Sequence, residues 1–72
     1  MYIIAKVYEN TMDYVDIRGG IVKDIVHCKN NGIAVCSPMV YRTERYIQKR
    51  LKIVGPNFKK IPLTKEILDF FE

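Results

Sequence analysis

Chemistry in a short chain needs a nucleophile with a base, a set of metal ligands, or an array of charge. The only serine is Ser37 and the only histidine is His27. Ser37 lacks the Gly-x-Ser-x-Gly surroundings of a nucleophile elbow. The two thiols are Cys28 and Cys36. If Asn31-Gly32 are the central residues of a hairpin turn, His27 faces Cys36 across the strands and Cys28 faces Val35. A thiol beside an imidazole is a candidate nucleophile and base. The plainer reading is a half-buried thiol next to a sheet histidine, since no orienting third group or oxyanion-stabilising loop accompanies the pair. The expectation is a protein that is not an enzyme.

Metal chemistry fares no better. A zinc site needs about four convergent ligands. In the same register Cys28 points away from His27 and Cys36, which also argues against a Cys28–Cys36 disulfide. No metal and no other cofactor is expected. Asp13, Asp16 and Asp24 lack the spacing of an acid–base pair. Gly19-Gly20 has no following Lys-Ser/Thr, so it is not a phosphate-cradling loop.

An array of charge remains. The net charge is +4, and it is unevenly placed. Residues 1–40 balance four basic groups against four acidic ones. Residues 41–60 carry seven basic groups against Glu44 alone, and residues 61–72 carry a net charge of −2. At about 100° per residue, Val40, Ile47, Leu51 and Val54 fall on one helical stripe, and Arg42, Arg45, Lys49 and Lys52 fall nearly opposite. That basic stripe is about 15 Å long from the helical rise. Arg50 and Lys59-Lys60 could widen it. Tyr41, Tyr46 and Phe58 lie among these charges. Cations along a helix match phosphates along a nucleic-acid backbone, and an exposed aromatic can stack on an unpaired base. The candidate nucleic-acid-binding residues are therefore Arg42, Arg45, Tyr46, Lys49 and Lys52. The plainer reading is a solvated helix face, partly neutralised by the acidic C-terminal segment.

The elements that must position these residues follow from periodicity. Residues 2–9 read as a central strand, 10–13 as a turn, and 14–18 as a short half-buried strand. For 21–28 a strand, joined through Asn31-Gly32 to a second arm at 33–36, is preferred. The rival is a helix over 21–29 ended by Gly32. A basic amphipathic helix spans 41–53, between Pro38 and Gly55-Pro56, with Glu44 as the misfit near its apolar stripe. Residues 57–62 read as a connector with Lys59-Lys60 exposed. A short helix over 64–71 follows, with Thr64 as N-cap and Leu63, Ile67, Leu68 and Phe71 as its apolar face. The sum is one α+β domain over 1–72: a small antiparallel sheet of three to four strands, which could curl in an SH3-like way, with two helices. A chain of 72 residues favours a shallow groove or flat face over a deep cleft.

The segment Lys60-Ile61-Pro62-Leu63-Thr64-Lys65-Glu66-Ile67-Leu68 resembles the C-terminal PLT-x-E-x-L tail of small uncharacterised proteins of phages and their bacterial hosts. Asp16-Ile17-Arg18-Gly19-Gly20-Ile21-Val22 is loosely similar to a turn-strand segment of the same proteins. The resemblance spans about a third of the chain. This chain departs from it at Asp69-Phe70-Phe71, where a Gly-Phe pair often follows the tail. The resemblance implies a small sheet-based fold and a viral origin, and no activity.

No apolar run approaches a membrane span. The opening residues, Met1 to Lys6, show no secretion signal, and two cysteines are too few for a disulfide-stapled secreted domain. A cytoplasmic chain is expected. Its partner is nucleic acid or, in the second reading, a host protein that a phage-type accessory module blocks or recruits. An exposed strand edge at 2–9 or 33–37 could pair with that protein or with a second copy.

Overall fold

The computed structural model describes residues 1–72. The chain runs β1 (Tyr2–Val7), β2 (Met12–Val15), β3 (Ile21–Val22), α1 (Ile25–Asn30), α2 (Glu44–Val54), β4 (Lys59–Pro62) and α3 (Lys65–Asp69). The four strands form one antiparallel sheet in the order β3-β2-β1-β4. β1 is central, as its β-branched composition suggests, and Ile3, Ile4 and Ala5 are buried in succession. A strand buried in succession must be covered on both faces.

The two faces have separate cores. Ile3, Ala5, Met12 and Tyr14 point to one, where Ile25 of α1 and Ile67 of α3 cover them. Ile4 and Val15 point to the other, where Ile47 of α2 covers them. The Tyr14 hydroxyl donates to the Cys36 carbonyl, and burial pushes its phenol up to about 12. The Phe71 ring meets Tyr14 edge-on at 4.9 Å. Leu68, expected on the apolar face of α3, is instead exposed, and Phe70 packs in its place. A helix as short as α3 turns only a narrow stripe inward.

The preferred hairpin over 21–36 is not what the chain forms. Only Ile21–Val22 is strand, and Ile25–Asn30 is helix. Asp24 caps α1: its carboxylate accepts from the His27 N–H at 3.1 Å and from the Thr11 hydroxyl at 2.8 Å. The Asp24 N–H donates to the Asp13 carboxylate at 2.8 Å, so the β1–β2 hairpin holds the start of α1. Asn31-Gly32 then closes the helix rather than turning a hairpin. Gly32 has φ +67°, its N–H donates to the Lys29 carbonyl, and the Ile33 N–H donates to the Cys28 carbonyl at 2.9 Å. That is the Schellman pattern of a helix end, which uses the same left-handed tolerance as a tight turn. Residues 33–36 are irregular, not a strand.

From there the chain crosses the end of the sheet. The Ile17 N–H donates to the Ser37 carbonyl and the Met39 N–H to the Val15 carbonyl, while Tyr41 exchanges two bonds with Tyr2. This pairing holds 37–41 extended, so α2 begins at Glu44 rather than at 41, and Val40 and Arg42 lie outside it. The strand expected at 14–18 is shifted to Met12–Val15, because the hairpin loop closes through the Tyr8 N–H to the Thr11 carbonyl. The expected connector 57–62 contains β4, paired with β1 from Tyr2↔Pro62 to Ala5↔Lys59. The sheet edges are therefore β3 and β4, not 2–9 or 33–37. Along β4, Lys59 and Pro62 blunt the open edge, since proline offers no N–H.

Candidate nucleic-acid interface

α2 lies across the second face of the sheet and is fixed on both flanks. On one flank is Glu44, the misfit of the helical pattern. Its carboxylate accepts from Lys60 Nζ at 2.9 Å through both oxygens and from Gln48 at 3.2 Å. Lys60, with Gln48, holds the Glu44 carboxyl below its ordinary value, and Glu44 in turn raises Lys60. The Lys60 ammonium also lies 4.7 Å from the centre of the Tyr2 ring. Lys60 is thus a structural partner and leaves the basic array.

On the other flank Arg50 leaves it too. Its guanidinium donates to the Gly19 carbonyl at 3.2 Å. The loop it grips is built on buried Asp16, whose Oδ1 accepts from the Arg18 and Gly20 N–H groups, both at 2.9 Å. Gly19 sits at φ +84°, and a Cβ there would meet the Arg50 guanidinium. The left-handed backbone is what favours glycine there, since the Arg50 side chain could swing aside.

What remains is a free surface. Arg45, Lys49 and Lys52 line α2 over about 10 Å of helix, with Arg42 in the extended lead-in, and all four are exposed. Tyr46, the fifth candidate, is 65% exposed. No carboxylate lies within ion-pairing distance of these four cations; the ion pairs of the molecule are Arg18–Asp16 and Lys60–Glu44. The partial neutralisation by the acidic C-terminal helix that the plainer reading included does not occur, because α3 packs on the opposite face of the sheet. Phe58 and Tyr41, by contrast, pack into the core under α2.

One feature escaped the sequence pattern. Between the basic stripe and the buried seam, Tyr46 and Ile53 form an exposed apolar strip, with Ile53 72% exposed. Ile17 stands across from them, 58% exposed, on the loop that Asp16 builds. Together with Met39 and Tyr41 they shape a shallow groove of about 360 Å³, bordered by Arg18, Lys49 and Arg50. The helical spacing of Tyr46 and Ile53 was visible, but the loop opposite them was not.

No family model, curated protein or solved structure compared with this chain matches it.

The catalytic candidates are not brought together by the register that would have paired them. His27 is on α1, where its Nδ1 lies 3.3 Å from the Asn31 side-chain nitrogen. Cys36 is in the crossing segment, where its sulfur accepts from Arg18 at 2.9 Å. Cys28 bonds the Lys23 carbonyl at 3.6 Å. Both thiols are unbridged, and no cluster of three His, Cys, Asp or Glu residues has the geometry to hold a metal ion. No helix is long and apolar enough to cross a membrane.

Proposed function

We propose that this chain is a small non-catalytic nucleic-acid-binding protein that contacts phosphates through α2. The supporting observation is the set of four exposed, unpaired cations, Arg42, Arg45, Lys49 and Lys52, on a surface whose one acid, Glu44, is occupied by Lys60. Phosphates would displace only water and counterions from these groups, so binding is electrostatic and weakly sequence-specific. The reading assigns the chain to the cytoplasm, where Cys28 and Cys36 stay reduced.

The test is fluorescence anisotropy with random single-stranded and duplex oligonucleotides across a salt series. Four phosphate contacts correspond to a log–log salt slope of about −2.8 on single strands, or roughly a fiftyfold loss of affinity from 50 to 200 mM salt. The pair Arg45→Ala and Lys49→Ala should remove about half of that slope, with the melting temperature unchanged because both side chains are exposed. Unaltered affinity in the double variant would overturn the reading.

A second reading rests on the exposed Ile17, Tyr46 and Ile53. Apolar groups ringed by cations also suit an acidic protein partner, as a phage-type accessory module would need. It predicts a stoichiometric protein complex and no affinity for nucleic acid at low salt.

A further inference from the structure

We propose that the groove beside α2 is a subsite for unpaired bases, so that this chain selects single strands over duplex. The inference rests on the phosphate reading above and names the form of nucleic acid that the same surface takes.

The side chains along the groove alternate in chemistry. Lys49 is three residues after Tyr46 and four before Ile53, so all three are neighbours on one side of α2. A phosphate held at Lys49 leaves its flanking bases over an exposed aromatic on one side and an exposed aliphatic on the other. A second depression, formed with Val40, Arg42 and Thr43, shares Met39, Tyr41 and Tyr46 with the first. Tyr46 therefore borders both, with Lys49 on one side and Arg42 on the other.

The charge along the groove is of one sign. Arg42 and Lys49 line the two depressions as unpaired cations, Arg18 and Arg50 stand on the same walls engaged by Asp16 and the Gly19 carbonyl, and no carboxylate lines either. The Arg18 side chain, bonded to Cys36 and beside Asp16, is still 74% exposed. A backbone of phosphates following the groove meets a cation at each end of the apolar floor.

A duplex would leave the apolar floor of the groove uncovered. Its bases are stacked on each other, so phosphate contact along α2 would leave Tyr46, Ile53 and Ile17 against water. A single strand offers a π-face to each of them, and stacking of a base on an aromatic side chain is tolerant of sequence.

Three oligomers of equal length separate the alternatives: a thymidine single strand, an abasic single strand with the same phosphates, and a duplex. With the wild-type chain at one salt concentration, the thymidine strand should bind about tenfold more tightly than the abasic one. Tyr46→Ala should lower that ratio severalfold and leave abasic and duplex binding unchanged, while Tyr46→Phe should keep it. Equal binding of thymidine and abasic strands would overturn the base subsite and leave phosphate binding intact. An equal loss on all three oligomers in Tyr46→Ala would do the same. Absence of binding to every oligomer would overturn the phosphate reading as well. Saturable binding of an acidic, leucine-containing peptide in place of any strand would assign the groove to a protein.

Discussion

The two faces of the sheet are built from the same central strand and finished differently. On the face covered by α1 and α3, six buried residues are closed over by half-buried neighbours, including Phe70 and Phe71. On the face covered by α2, three residues are fully buried, and the helix keeps Tyr46 and Ile53 in solvent. The helices of the first face leave one large apolar group, Leu68, exposed and turn the rest inward. The helix of the second leaves two of its own outside, beside unpaired cations. In a domain with so little interior, an exposed Tyr and Ile withheld from the core mark the face available for a partner.

The sharpest way to test that division is to damage the closed face. Tyr14→Ala removes a fully buried ring, its contact with Phe71 and its bond to Cys36. It should cost about 3–5 kcal/mol, measured by urea unfolding. Whatever fraction stays folded should keep the wild-type salt slope for nucleic acid. A changed slope would break the separation of the two faces.

A smaller effect is expected where the open face is anchored. Gly19→Ala places a side chain in the left-handed region and against the Arg50 guanidinium. The backbone term alone should cost about 1–2 kcal/mol. Because the clash is with Arg50, the double variant Gly19→Ala/Arg50→Ala should lose less stability than the two single variants added together.

The smallest effect is in acid. Glu44, the first residue of α2, and Asp24, the cap of α1, both have their carboxyls held below the ordinary value. For Glu44 the leading cause is the bond from Lys60; for Asp24 it is the bond from Thr11, followed by the His27 N–H. A carboxyl lowered in the folded state stabilises the fold above its unfolded value, and that contribution is lost as pH falls through the lowered one. Stability should therefore decline below about pH 4. Glu44→Gln and Asp24→Asn should each flatten part of that decline in acid titrations followed by circular dichroism. If one variant alone carried all of it, a single face would account for the acid sensitivity.

Much of α2 could be read from the sequence, because Ile47, Leu51 and Val54 repeat at helical spacing and Gly55 ends the run. The exposed stripe of Arg45, Lys49 and Lys52 was legible for the same reason, and so was the central place of β1. Asn31-Gly32 was not decidable locally, since a tight turn and a helix end use the same backbone conformation. Thr11 and Asp13 decide it from the preceding hairpin. β4 was hidden because Lys59-Lys60-Ile61-Pro62 has the composition of a connector, and its pairing with β1 is remote in sequence. The groove was hidden because Ile17 and Arg18 reach it through the turn that Asp16 and Arg50 hold together.

The place of β4 bears on how the chain assembles. Ala5 pairs with Tyr14, nine residues away, on one side and with Lys59, fifty-four residues away, on the other. By loop-closure entropy the second pairing is harder to initiate by about 1.5 kcal/mol. During synthesis the β1–β2 hairpin can close almost at once, but its far side must wait until residue 62 has emerged. For that interval Ile3 and Ile4 lie along an unfinished edge. The lysines and the proline of β4, arriving late, convert that edge into one that is harder for other chains to extend.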